Sequence, residues 1–305
     1  MGRYIIKRLG HALVVLAGVI IVVFFVTRMT GDPVRLMVPP DASEADVDLL
    51  RHQLGFDRPM AVQFIAYLRG VAVLDFGDSL RHGEPAMLLV FERMPATLQL
   101  SLLALLLSVC IAIPLGIVSA TRRGSMIDNF ASLIGLLGQS MPVYWLGLLL
   151  IIVFGAKLKW LPAGGRGDWR NLVLPTITLA AFTLTSIMRL LRSTMLEVMM
   201  QDFIRTAQAK GLAQRAVIYK HALRNAMLPV TTILGLQLGA LLGGSVITET
   251  IFAWPGVGRF VVQAIYNRDF YVVQAAVFLF ALIIVVINLW VDLFYSVLDP
   301  RIRYD

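Results

Sequence analysis

"MPATLQLSLLALLLSVCIAIPLGIVSAT", residues 94–121, runs for 28 positions without one Asp, Glu, Lys or Arg. Such a run either crosses a bilayer or lies inside a large soluble core, and one example does not decide between them. Five more do: 9–27, 129–156, 171–188, 225–248 and 270–291 are equally free of charge. As a helix rising about 1.5 Å per residue, each is long enough for a hydrocarbon core of roughly 30 Å. A soluble protein buries one helix of this kind, hardly six. Composition agrees, with 58% hydrophobic and 15% charged side chains over 305 residues. No interval alternates apolar and polar residues as a membrane β-strand does. The chain is therefore expected to be all-α and polytopic, with six transmembrane helices.

The first interval follows Arg3, Lys7 and Arg8 and resembles a signal peptide. Its apolar stretch is 19 residues long, however, and "TRMTGDPV" beyond it offers no small-x-small cleavage site. An uncleaved anchor is expected. Cys110, the sole cysteine, lies in the second interval, so no internal disulfide forms. It reads as a small packing residue.

Six spans place both termini and the second and fourth connections on one side. That side carries fourteen Lys and Arg residues against thirteen opposite, which decides nothing by itself. Seven of the thirteen belong to the connection 28–93, too long to count reliably in the positive-inside rule. Without it the ratio is fourteen to six. The termini and the basic fourth connection are expected to be cytoplasmic. The net charge of +8 then reflects topology and contact with the lipid bilayer, not nucleic acid.

The boundaries that follow are an anchor helix at 1–29, an extracytoplasmic connection at 30–93, a five-helix core at 94–298 including a cytoplasmic loop at 189–228, and a tail at 299–305. Within the first connection, "DASEADVDLLRHQLGF" (41–56) pairs Ser43 with Asp46 as a helix N-cap and spaces Val47, Leu50 and Leu54 helically. "DRPMAVQFIAYLRG" (57–70) restarts at Pro59, with Met60, Phe64 and Tyr67 or Leu68 on one stripe. Two short amphipathic helices are predicted.

Inside the spans, Pro114, Pro142 and Pro175 are expected to kink or end helices. The fifth interval spaces Gly235, Gly239 and Gly243 four apart, with Gln237 between them and Gly244 following. This ridge implies close helix packing or the lining of a pathway. Glu249 stands just past that interval, nearly on the glycine face, and reads as gate lining or structural pairing. Asp292, one turn after Asn288, reads as an interhelical contact.

One stretch breaks the apolar pattern. "RTAQAKGLAQRAVIYKHALRNAMLP" (205–229) carries Arg205, Lys210, Arg215, Lys220 and Arg224 without an acid. Leu212, Ala216, Tyr219 and Leu223 share a narrow helical arc, Gly211 precedes it, and Pro229 is expected to open the next span. A helix–turn–helix excursion follows. Its cations and apolar arc suit either anionic lipid or a protein cleft.

The spacing Ala207-x-x-x-Gly211 and the later Leu228-Pro229 resemble the coupling loop of bacterial ABC-importer permeases. The general pattern opens Glu-Ala-Ala. Here Arg205-Thr206-Ala207 and a longer gap match the form typical of the dipeptide, oligopeptide, glutathione and nickel permease group. The resemblance extends along the chain through "GDPV" (31–34), "LGFDRPMAVQF" (54–64), "LDFGDS" (74–79), "RMPATLQLS" (93–101), "FAWPGVGR" (252–259) and "DPRIRY" (299–304). Within the group the likeness leans to the glutathione-type permeases.

The resemblance implies a type I ABC-importer permease fold in the bacterial inner membrane and a non-catalytic subunit that imports peptides or glutathione. Nickel chelates, opines and small saccharides are the alternative cargoes, and a membrane assembly anchor is the non-transport alternative. It further implies a homologous second permease, two ATP-binding subunits (or a homodimer of one) and an extracytoplasmic substrate-binding protein. Arg205, Thr206, Ala207, Lys210, Gly211, Leu212, Arg215, Ala216 and Tyr219 would form the ATPase-coupling loop. No cofactor is expected on this chain: it lacks G-x-x-x-x-G-K-[ST], so ATP and Mg belong to the partners.

Rival classes find little support. His11, His52, His82 and His221 are scattered and form no H-E-x-x-H, which leaves an intramembrane protease nothing to build on. An ion-coupled transporter wants carboxylates at mid-membrane depth, where the intervals have none. The expected topology is directly measurable. In a Cys110→Ala background, Ser43→Cys should react with an impermeant maleimide on intact cells and Gln214→Cys should not; the opposite pattern reverses the orientation.

Overall fold

The computed structural model describes residues 2–29, 34–36, 38 and 41–298. Residues 31–33 of the GDPV stretch, the 299–305 tail and the Asp292 side chain lie outside that description. Among the described residues every regular element is helical. Five helices are long and apolar enough to cross a membrane, and a sixth span results if one sharply bent pair is counted together. The described residues form two compact units, one drawn from 1–96 and 255–286, the other from 97–254 and 287–303.

In the first unit, α1 (Gly2–Met29) is followed by the predicted amphipathic pair α2 (Glu44–Leu54) and α3 (Met60–Ala72). The Ser43 hydroxyl accepts from the Asp46 amide at the start of α2, and Gly55 in the left-handed region closes its end. The predicted stripe on α3 is shifted. Met60 and Leu68 are exposed, while Phe64, Tyr67 and Val71 turn inward. The pull comes from aromatic packing. Phe24 of α1 meets Phe64 at 5.0 Å and Tyr67 at 5.4 Å, and Tyr67 meets Phe76. Phe76 in turn reaches Phe278 of α12 (Phe270–Leu298) at 5.3 Å. The two edge-to-face pairs, Phe24–Phe64 and Tyr67–Phe76, add about 0.5–1.5 kcal/mol each beyond area burial. Gln274 of α12 donates to the buried Thr27 hydroxyl at 2.8 Å. The Ser79 hydroxyl donates to Asp269, which caps α12.

The second unit centres on α7 (Arg170–Met199). Before it, the 129–156 interval divides into α5 (Met126–Ser140) and α6 (Val143–Leu150), the latter widening to a π-turn at Ile151–Lys157; the chain bends by 107° between the two arms. Pro142 is the cause. It has no N–H, and it forces Met141 to an extended ψ of 124°. Pro114 and Pro175, by contrast, lie inside the continuous helices α4 (Ala86–Thr121) and α7. On α5, Gly135 and Gly138 leave room for α7: an added Cβ would sit 3.0 Å from Met188 and 2.5 Å from Thr185 respectively.

One charged contact fixes the end of α7. Arg192 grips the buried Asp128 carboxylate with two parallel bonds of 2.8 and 3.0 Å. Ser119 of α4 donates to the same carboxylate, and the Gly124 amide does so at 2.9 Å. Asp128→Ala would leave the guanidinium with no charge partner and should destabilise the chain by about 3 kcal/mol. Arg192→Leu added to it should recover part of that loss. Thermal unfolding of the detergent-purified variants measures both.

Candidate coupling loop and span-packing site

After α7, the chain turns at Met200 and Gln201 into α8 (Asp202–Ala209). Ile204 and Ala207 are buried on its inner face, while Arg205 and Thr206 are exposed. Gly211 then takes φ 73°. Its amide bonds the Gln208 carbonyl at 2.9 Å and the Leu212 amide reaches the Ala207 carbonyl at 3.4 Å, a Schellman pattern that ends α8. An added Cβ at Gly211 would touch nothing, so the left-handed backbone, not space, calls for glycine there.

The helix resumes at α9 (Gln214–Ala216), widens into a π-turn at Val217–Ala222 and continues as α10 (Leu223–Ile251). Pro229 therefore does not open the span; it sits inside a helix running from Gln214 to Ile251. Burial overrides the breaker. Ala226 and Val230 on either side of it are fully buried, and that packing holds the helix through the lost bond. The π-turn also breaks the constant angular step behind the predicted arc. Leu212 and Tyr219 remain exposed, at 42% and 58%, while Ala216 and Leu223 are half-buried. Lys210, Arg215 and Lys220 are exposed as well.

The inner face of this loop belongs to one hydrophobic cluster. Ile204, Ala207, Val217 and Ala222 share it with Ile187, Leu191, Met195 and Val198 of α7, with Ala226 and Val230 of α10, and with Ala112 and Ile117 of α4. Thr194 of α7 also donates to the Ala226 carbonyl at 3.3 Å. The loop thus exposes both apolar and cationic side chains outward and is packed into the spans inward.

Along α10 the glycines differ. An added Cβ on Gly235 would lie 2.0 Å from the Val291 side chain, on Gly244 an ordinary 3.7 Å from Leu179, and on Gly243 near nothing. Gly239 is half-buried and Gln237 is buried. Glu249 is fully buried and accepts from the Thr97 hydroxyl at 2.7 Å, so it turns inward instead of sharing the open surface at Gly243. Beyond it, the FAWP turn is an anchored corner. Phe252 and Trp254 are buried, Ala253 takes φ 50°, and the Phe252 carbonyl receives the Gly165 amide at 2.7 Å.

A family model described as "Binding-protein-dependent transport system inner membrane component" matches residues 112–304. A companion model for the N-terminal part of such components matches residues 1–101. The chain belongs to this family. The permease is 40% identical to the dipeptide transport system permease protein DppB of Alkalihalophilus pseudofirmus, over the whole of both chains. It is also 40% identical, again end to end, to the glutathione transport system permease protein GsiC of Salmonella typhimurium and of Escherichia coli. In fold it is similar to a chain of the inward-facing MetNI methionine ABC transporter, with a TM-score of 0.57 at 19% identity, covering 70% of this permease and 97% of that chain. An amino acid ABC transporter gives a TM-score of 0.53 at 18% identity, with 70% and 94% covered. The chain is thus an all-α, multi-pass permease subunit of an ABC importer, and catalysis is not its task.

Three features of the site escaped sequence reasoning: the Asp128–Arg192 clamp, the Gly135/Gly138 contact and the π-turn. Ser125-x-x-Asp128, the lone acid between two apolar intervals, was the available sign of the first. Close packing at Gly235 is testable: Gly235→Ala should cost about 1–3 kcal/mol through overpacking. Val291→Ala in the same chain should relieve most of it. Unfolding midpoints of the single and double variants decide.

Proposed function

We propose that this permease forms one half of the translocation pathway of an ATP-driven importer for short peptides, glutathione included. A homologous permease completes the pathway, a binding protein delivers cargo from outside, and ATP with its Mg is held by ATPase subunits that seat on residues 202–222. Both termini and that loop then face the cytoplasm of a bacterial inner membrane. The observation that carries the reading is the two-sidedness of the loop. Leu212 and Tyr219 are exposed apolar residues in a segment whose cations Lys210, Arg215 and Lys220 are exposed as well, while Ile204, Ala207, Val217 and Ala222 of the same segment lie in one buried cluster with residues of α4, α7 and α10. The end-to-end likeness to dipeptide and glutathione permeases supports the cargo class.

A helix that merely rests on lipid needs apolar area and positive charge, whereas docking needs a shape that a partner accepts. Ala216→Glu places a charge against an apolar contact. It should lower ATP-dependent uptake of a labelled dipeptide into reconstituted vesicles by at least about tenfold and loosen ATPase co-purification. Lys220→Gln trims one exposed cation and should leave uptake near normal. Uptake that follows total loop charge instead would make the loop a lipid anchor. Competition by glutathione, tripeptides and nickel chelates in the same assay separates the cargo classes.

A further inference from the structure

The last turn of α1 carries a cation that makes no ion pair among the described residues. Arg28 is half-buried, with its guanidinium 3.6 Å above the Phe24 ring. It donates to Gln63 Oε1 at 3.1 Å and to the Phe24 carbonyl at 3.4 Å, both neutral acceptors. None of the ion pairs among the described residues includes it. A guanidinium has five donors, and a partly desolvated one without an anion is costly.

Arg28 opens on a cavity of about 410 Å³ between α1, α2, α3 and the start of α12. Arg58 stands on the wall as a second cation, and among the described residues Asp75 is the single acid there. Gln63, Tyr271 and Gln274 supply further polar groups. The Tyr67 hydroxyl, on the same wall, is buried without a hydrogen-bond partner. One to two turns earlier, α1 exposes Ile21, Val22, Phe25 and Val26, and only 6% of its most apolar window is buried. A polar, net-cationic cavity therefore sits at the head of an open apolar helix face.

We propose that this cavity binds a phosphate-bearing anion through Arg28 and Arg58, the ligand being the headgroup of an acidic phospholipid whose chains lie along α1. Arginine forks suit phosphate oxygens better than any other side chain. The cavity volume exceeds the need of a bare phosphate ion and leaves room for a glycerol headgroup. The site concerns this chain alone and does not depend on what the transporter carries.

The test is native mass spectrometry of the full chain, delipidated in detergent and offered phosphatidylglycerol, phosphatidylcholine or inorganic phosphate. Wild type should retain phosphatidylglycerol about tenfold better than phosphatidylcholine. Arg28→Gln should erase that preference, Arg28→Lys should keep part of it, and Arg58→Gln, at an exposed position, should weaken it several-fold. Arg123→Gln, an exposed cation elsewhere, should change nothing. Displacement of the lipid by inorganic phosphate in an Arg28-dependent way would keep the phosphate site but assign it a soluble ligand. Equal retention of the two lipids by wild type overturns the proposal, as does an equal loss in Arg123→Gln. Should Arg28→Gln fail to insert, Arg58→Gln decides: unchanged retention in that variant also overturns it.

Discussion

Burial of α7 is the interaction on which the second unit depends. Over half of its most apolar window is inside the protein, 56% against 6% for the first span. In a bilayer, apolar area alone gives no reason to prefer a neighbouring helix over lipid, so association must come from close fit. The chain supplies that fit with small residues facing α7. Gly135 and Gly138 on α5 admit Met188 and Thr185, and Gly116 on α4 admits Leu191 at 3.1 Å from where a Cβ would stand. With the helix seated, Arg192 falls beside Asp128, and the desolvation of that pair is repaid by a full set of hydrogen bonds.

Interrupted charge was the most legible signal in the sequence. Acids and bases fall where helices leave the apolar phase, so the absence of Asp, Glu, Lys and Arg located the spans. Local chemistry was legible as well: Ser43 caps α2 as its spacing with Asp46 predicts, and Pro142 breaks the helix before it. What could not be read was where tertiary packing outvotes local preference. Pro142 and Pro229 are the same residue type in apolar runs, yet one ends a helix and the other does not. The difference lies in the flanking residues. Met141 is free to become extended, whereas Ala226 and Val230 are pinned in the core.

The glycine ridge teaches a related lesson. Spacing of four marks small residues on one face but says nothing of what meets them. Gly235 is filled by Val291, while an added Cβ on Gly243 would meet none of the described residues. The open part of α10 continues through Leu236 and Ile247, exposed at 53% and 49%. A surface of this kind, apolar yet able to admit a close backbone, fits a neighbouring helix as well as lipid. Glu249, by contrast, is held inside by Thr97. A carboxylate so placed orders the end of the span before any role in a pathway.

The continuity of the helix from Gln214 to Ile251 bears on how the proposed coupling would work. A loop joined to a span by a flexible turn would absorb a push as local bending. Here the exposed Tyr219 and the buried Val230 lie on one helix, with no break at Pro229. On the other side, Gly211 supplies a sharp turn, and α8 is held to the same cluster by Ile204 and Ala207. Close-packed interiors deform little, so such a cluster moves as a body. The π-turn at Val217–Ala222 is where the helix departs from regular geometry. It turns Val217 and Ala222 inward while leaving Tyr219 outward. A displacement applied at Tyr219 would then reach α7 and α10 together, which is what a lever needs and a lipid anchor does not.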